Sequence, residues 1–159
     1  MPRQGSLLMK ELQQNKPFRS VYHEAGLAIL KTADVLRREF ARRLEPHEIT
    51  PQQYNVLRIL RGAGTAGMPT LEIGERLIED TPGMTRLLDR LESKQLVRRA
   101  RCKHDRRQVL CHLSEAGQQI LEALDPLASS AEDAMAGYLS EAEAESLVEL
   151  LERIREIPR

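Results

Sequence analysis

The chain has 159 residues, 41% of them hydrophobic, with 3% aromatic and no tryptophan. That length suits one domain with helical extensions, and its core has to be built from Leu, Ile, Val, Ala and Met. The formal net charge is zero, which excludes a surface basic all over, and no apolar run approaches the ~20 residues that span a bilayer. The opening MPRQGSLLMKELQQNK lacks the apolar segment and cleavage site of a secretory signal. A cytoplasmic protein with no membrane partner is expected, its two cysteines free thiols.

Residues 1–16 read as a polar tail, partly disordered. Over residues 17–45, Phe18, Val21, Tyr22, Ala25, Ala28, Ile29, Thr32, Val35, Leu36 and Phe40 recur at helical spacing, predicting one long helix opened by Pro17. EPHEI interrupts it. Residues 46–113 then carry three helical stretches. TPQQYNVLRILRGAG has Thr50 as N-cap and Pro51 at the first helical position, points Tyr54, Leu57, Ile59 and Leu60 inward, and stops in a glycine-rich turn. Both of these helices read as core scaffold.

MPTLEIGERLIED predicts a short helix from Thr70 with Ile73 and Leu77 on one face. After the turn IED, Thr81 is expected as N-cap of the next helix and Pro82 at its first position. Met84, Leu87, Leu88 and Leu91 form its narrow buried stripe, opposite a polar face of Thr85, Arg86, Asp89 and Arg90. Two short helices joined by a tight turn make a helix-turn-helix pattern. LVRRARC and QVLCHL each suit a short strand, joined by the polar tip KHDRR, so the pair extends to a winged helix. Over residues 114–159, helix resumes from Ser114 as N-cap, and Pro126 is expected to kink or break it after Asp125. SEAEAESLVELLERI closes the chain with a capping box, Ser140 and Glu143, and Leu147, Leu150, Leu151 and Ile154 on one face. The expected fold is mainly α with a small β-hairpin wing.

Charge is segregated along this pattern. From Arg86 to Arg107 nine Lys and Arg face Asp89, Glu92 and Asp105, whereas from Ser114 to the end eleven Asp and Glu face three Arg. One part of the chain is therefore suited to an anionic partner. Cys102, His104, Cys111 and His112 are competent zinc ligands, but alternation sends adjacent Cys111 and His112 to opposite faces of a strand, and no metal or other cofactor is expected. A Cys102–Cys111 cross-strand disulfide is the redox alternative; otherwise Cys111 is a small buried residue. No glycine-rich phosphate loop, His-Glu-x-x-His or nucleophile elbow occurs, so no enzyme is expected.

Double-stranded DNA accounts for more of these residues at once. Thr81, Pro82 and Gly83 would open the helix that enters the major groove, carrying Thr85, Arg86 and Arg90, with Arg86 suited to a bidentate contact to guanine. Arg106 and Arg107 at the wing tip would reach the minor groove, with Asp105 bracing the tip. The alternative, a winged-helix protein–protein adaptor, has no need of arginines on both surfaces.

TPQQYNVLRIL, TPGMTRLLDRLESKQLVRR and HDRRQVLCHLSEAG together resemble the MarR family of bacterial transcription regulators, over about Phe18 to Ile157. The most specific elements are the Asp-x-Arg of the wing, on Asp105 and Arg107, and the following Leu-(Ser/Thr)-x-x-Gly, on Leu113, Ser114 and Gly117. The resemblance implies a homodimer joined by helices from both chain ends, a pseudo-palindromic operator, repression, and release by a small phenolic or other aromatic acid. The apolar stripes of the first and last helices, more than one winged domain covers, also point to a dimer. An effector pocket between the first helix and the winged region could draw on Tyr22, His23 or Tyr54, which serve equally as core or interface residues. Two departures stand out. Gln95 occupies the turn after the recognition helix where Gly is usual, so a non-glycine residue is strained there or another cap is used. Gly74 replaces the usual Ala, lowering helix propensity while leaving room for another backbone. The first helix also lacks the cysteine of peroxide-sensing relatives.

Overall fold

The computed structural model describes residues 6–102 and 108–156. The chain divides into two units, Met1–Pro51 and Gln52–Arg159.

The first unit opens with α1, Leu7–Glu11, whose N-cap Ser6 accepts a hydrogen bond from the Met9 amide and which buries Leu8. Part of the expected polar tail is thus helical, because a capping serine followed by Leu-Leu-Met supplies both a start and an apolar anchor. The long helix α2, Val21–Leu44, begins later than Pro17 suggests. Its cap is Ser20, whose hydroxyl accepts from the His23 amide at 3.2 Å. Ahead of it Phe18 is buried, its ring edge-on to His23 with centroids 5.9 Å apart. Of the 24 residues of α2 only Leu44 is buried, and Val21, Tyr22, Leu30, Val35 and Leu36 are exposed. The stripe that reads as core scaffold is not core within one chain. A 3-10 turn, Glu45–His47, ends the helix, with Glu48 left-handed after it.

α3, Pro51–Ala63, starts at Pro51 as expected and from Gln52 on belongs to the second unit. It buries Tyr54, Val56, Leu57 and Leu60, while Ile59 is only half-buried, so Val56 takes the inward place expected of Ile59. A 3-10 turn, Gly64–Ala66, leads to a two-residue strand, β1, Met68–Pro69, then α4, Thr70–Glu75, and α5, Met84–Ser93. The hairpin follows as β2, Val97–Arg101, and β3, Val109–Leu113. The sheet is antiparallel in the order β1-β3-β2, with Met68 opposite Cys111 and Arg99 also opposite Cys111 from the other side. β1 is too short to show an alternating pattern, and its proline is tolerated because the strand lies at the sheet edge. The core of this unit is aliphatic: Leu57, Leu60, Ile73, Leu88, Leu91 and Leu121 are all fully buried.

The register removes the disulfide alternative. Cys111 is buried opposite Arg99, whereas Cys102 lies three residues farther along, beyond β2, with its amide donating to the Gln108 carbonyl; both thiols are free. Burial pushes the Cys111 thiol above its usual range.

α6, Glu115–Ala136, is capped by Ser114 and continues through Pro126, so of the expected kink or break the break does not occur. A proline inside a helix costs one hydrogen bond and crowds the carbonyl four residues back, but helical residues on both sides carry the helix past it. Gly117, Leu121 and Leu124 are its buried positions, all before the proline. α7, Glu141–Arg155, has the predicted capping box: the Ser140 hydroxyl accepts from the Glu143 amide, and the Glu143 carboxylate from the Ser140 amide at 2.9 Å. It buries no residue, and Leu147, Val148, Leu150 and Ile154 are exposed. Among the described residues no helix is long and apolar enough to cross a membrane.

Candidate nucleic-acid interface

α5 presents the polar face expected of a recognition helix, but its start differs from the sequence expectation. Thr81 is not the N-cap; its hydroxyl donates to the Glu79 carbonyl at 3.2 Å, inside the turn. Pro82 also lies outside the helix, and the N-cap is Gly83, with φ 90° and no side-chain cap. A left-handed residue cannot continue a right-handed helix, so α5 cannot begin before Gly83, and glycine is the residue that holds this φ without strain. The turn is tied to α3 by the Ile78 amide, which donates to Asn55 Oδ1 at 3.0 Å. Leu88 and Leu91 anchor the inner face of α5, while Thr85, Arg86, Asp89 and Arg90 are exposed on the outer one. Neither Arg86 nor Arg90 forms an ion pair with a described residue.

The far end of α5 answers the question raised by Gln95. Gln95 is strained, at φ 59°, in the position glycine usually fills. Its amide donates to the Glu92 carbonyl at 2.8 Å, and the Leu96 amide reaches back to the Leu91 carbonyl at 3.0 Å. These two bonds are a Schellman cap built on a non-glycine residue. The Ser114 hydroxyl donates to the Gln95 carbonyl at 2.6 Å while accepting from the Gly117 amide at 2.9 Å. One serine therefore caps α6 and holds the end of α5.

Arg99 is the feature that the count of basic residues misses. Its Nε donates to Glu92 Oε2 at 2.8 Å, its Nη2 to Glu92 Oε2 and to Asp89 Oδ1, both at 2.6 Å, and its backbone amide to Glu92 Oε1 at 3.0 Å. The guanidinium holds the Glu92 carboxyl below its usual range, chiefly through the side-chain hydrogen bonds. Strand alternation carries the signal: Arg99 shares a face with buried Val97, while Arg98 points the other way and is exposed. The exposed cations of the described wing are thus Arg98 and Arg101. Asp105, Arg106 and Arg107 lie outside the described residues, as does His104.

The candidate effector residues fall in both units. Tyr22 and His23 belong to the first unit and Tyr54 to the second. Tyr22 is 85% exposed, and His23 packs on Phe18 with its Nδ1 buried and unpartnered. Tyr54 is buried, accepting a hydrogen bond from Arg58 at 3.0 Å, with that guanidinium over its ring.

The model of the MarR family matches residues 49–109, from just before α3 to the first residue of β3. The transcriptional regulator TtmR of Methylorubrum extorquens is 32% identical over 139 residues, 80% of this chain and 70% of the relative. A MarR transcription factor of Planctomyces limnophilus has a crystal structure 35% identical in sequence, with a TM-score of 0.65 over 85% of this chain and 98% of that one. The F27L mutant of S. aureus MepR, solved bound to an oligodeoxyribonucleotide, is 25% identical, with a TM-score of 0.55 over 80% of this chain and 93% of that one.

Proposed function

From the premise that the chain belongs to the MarR family of transcription regulators, and is accordingly not an enzyme, we propose that it binds a pseudo-palindromic DNA operator as a homodimer and represses transcription from it. The observation that carries this reading is the outer face of α5, where Arg86 and Arg90 stand exposed with no described carboxylate paired to them. On a helix anchored by Leu88 and Leu91, such a face can enter the major groove while its own core contacts hold it in place. The DNA-bound MepR relative supports that use of the fold.

In this reading residues 46–113 contact DNA, and residues 17–45 and 114–159 join the two chains. Thr81, Pro82 and Gly83 approach the backbone at the start of α5. Thr85 and Arg90 flank the base contact of Arg86, and Arg106 and Arg107 enter the minor groove with Asp105 bracing the wing. Release by a small aromatic acid completes the proposal, with Tyr22, His23 and Tyr54 as the aromatic side chains available to it. The test is Arg86→Ala, measured on a duplex selected by the protein from a random library and on an unselected duplex of equal length. The selected duplex is expected to lose about 1–3 kcal/mol of affinity with blurred preference at one position per half-site. Equal weakening on both duplexes would reassign Arg86 to the phosphate backbone.

A further inference from the structure

The wing and the recognition helix are joined by one buried-side cation. Arg99 spends its Nε, an Nη and its backbone amide on Glu92 and Asp89, in four hydrogen bonds of 2.6–3.0 Å. Its side chain is 27% exposed, against 51% for Asp89 and 37% for Glu92. The two carboxylates stand three residues apart, on neighbouring turns of one flank of α5. Asp89 in turn follows Arg86 by three residues, so these two side chains leave adjacent sectors of the helix. A guanidinium fork on carboxylates constrains direction as well as distance, so this contact adds a constraint on the rotation of α5 from β2, beside the packing of Leu88 and Leu91.

We propose that Arg99 is a positioning residue for sequence reading: it sets the rotation of the recognition helix through Glu92 and Asp89 and is not one of the cations that meet phosphate. The proposal rests on the DNA-binding reading above. It separates the basic segment into two functional groups that a charge count merges. Arg86 and Arg90 face outward to meet the duplex, and Arg99 faces inward to aim them. Loss of Arg99 leaves the outward cations in place but loosens their direction, so attraction to any duplex persists while discrimination falls.

The experiment compares Arg99→Ala, Arg99→Lys and Glu92→Gln with the full wild-type chain, by fluorescence anisotropy over a salt series, on a selected operator and a random duplex. Circular dichroism checks folding. Both Arg99 variants are expected to lower the ratio of operator to random affinity by about tenfold, the worth of one well-made base contact, with the salt dependence unchanged. Glu92→Gln is expected to lower the same ratio although it removes a negative charge. A phosphate-contacting Arg99 would instead weaken both duplexes equally and reduce the salt slope by about one. It would be replaced fully by lysine, and Glu92→Gln would free it and tighten binding to every duplex. Any of these results overturns the proposal, and if Arg99→Ala fails to fold, Arg99→Lys and Glu92→Gln decide it: positioning lowers the ratio of operator to random affinity in both, whereas phosphate contact leaves that ratio unchanged in both. Wild-type protein that prefers no duplex over random DNA would overturn the DNA-binding reading itself, and this inference with it.

Discussion

Gly74 and Gly117 are both helical glycines with opposite needs for the missing Cβ. At Gly74, in α4, an added Cβ meets only the terminal methyl of Met84 at 3.8 Å, an ordinary contact. Among the described residues no other backbone comes within 4 Å of it, so the room that glycine leaves there is not used by one. At Gly117, in α6, the same atom would lie 2.2 Å from the Leu96 carbonyl oxygen. Gly74→Ala is therefore expected to stabilise the chain by about 0.5–1 kcal/mol, through helix propensity and a less free unfolded state. Gly117→Ala should destabilise it by about 1–3 kcal/mol, because the carbonyl it displaces belongs to the joint between α5, β2 and α6. Thermal melting of the two variants checks both signs; a stable Gly117→Ala protein would mean that this joint is loose. Sequence shows at residue scale what depends on nearest neighbours. Ser114, Ser140 and Glu143 cap as read, and Gln95 carries the strain that its place demanded. The partners of Arg99 and the close approach at Gly117 depend on chain segments that meet only after folding, so neither shows in the local pattern.

Elements were readable where apolar spacing ran long, and misread at their ends. Thr81-Pro82 has the composition of a helix start, yet Gly83 next to it takes a left-handed conformation and moves the start to Met84. Pro126 has the composition of a helix stop, yet α6 passes through it. Just before that proline, α6 is tied to α3 by Arg61, whose guanidinium donates to both oxygens of Asp125 at 2.9 and 3.0 Å. Those hydrogen bonds hold the Asp125 carboxyl below its usual range. A carboxyl depressed in the folded state stabilises the fold above its unfolded pKa, about 4, and the contribution is lost as pH falls through the lower folded value. Asp125→Asn is expected to cost at most about 1 kcal/mol at neutral pH, since both partners are partly solvated. Urea titrations of the two proteins should converge as pH falls from about 4 toward 2. Curves that stay parallel through that range would show that the pair adds nothing to stability.

At the scale of the whole molecule, the apolar faces of α2 and α7 are not covered within one chain. α2 and α7 together bury a single residue, Leu44, and expose apolar side chains along their lengths. Apolar faces of this extent call for a partner surface; under the proposed homodimer a two-fold related copy would supply one and would pair two recognition helices for a palindrome. α2 reads as core scaffold from spacing alone because apolar periodicity marks a face suited to being covered, without saying which chain would cover it. The segregation of charge, basic from Arg86 to Arg107 and acidic after Ser114, fits the same division between a DNA-facing region and a pairing region.

The most direct test of this account is sedimentation of the chain, alone and titrated onto one palindromic duplex selected by it from random DNA. The account predicts a dimer at micromolar concentration and complexes that hold two chains per duplex, formed without a one-chain intermediate and weakening steeply with added salt as counterions compete for the phosphates. A well-behaved monomer that loads the half-sites one chain at a time would contradict it.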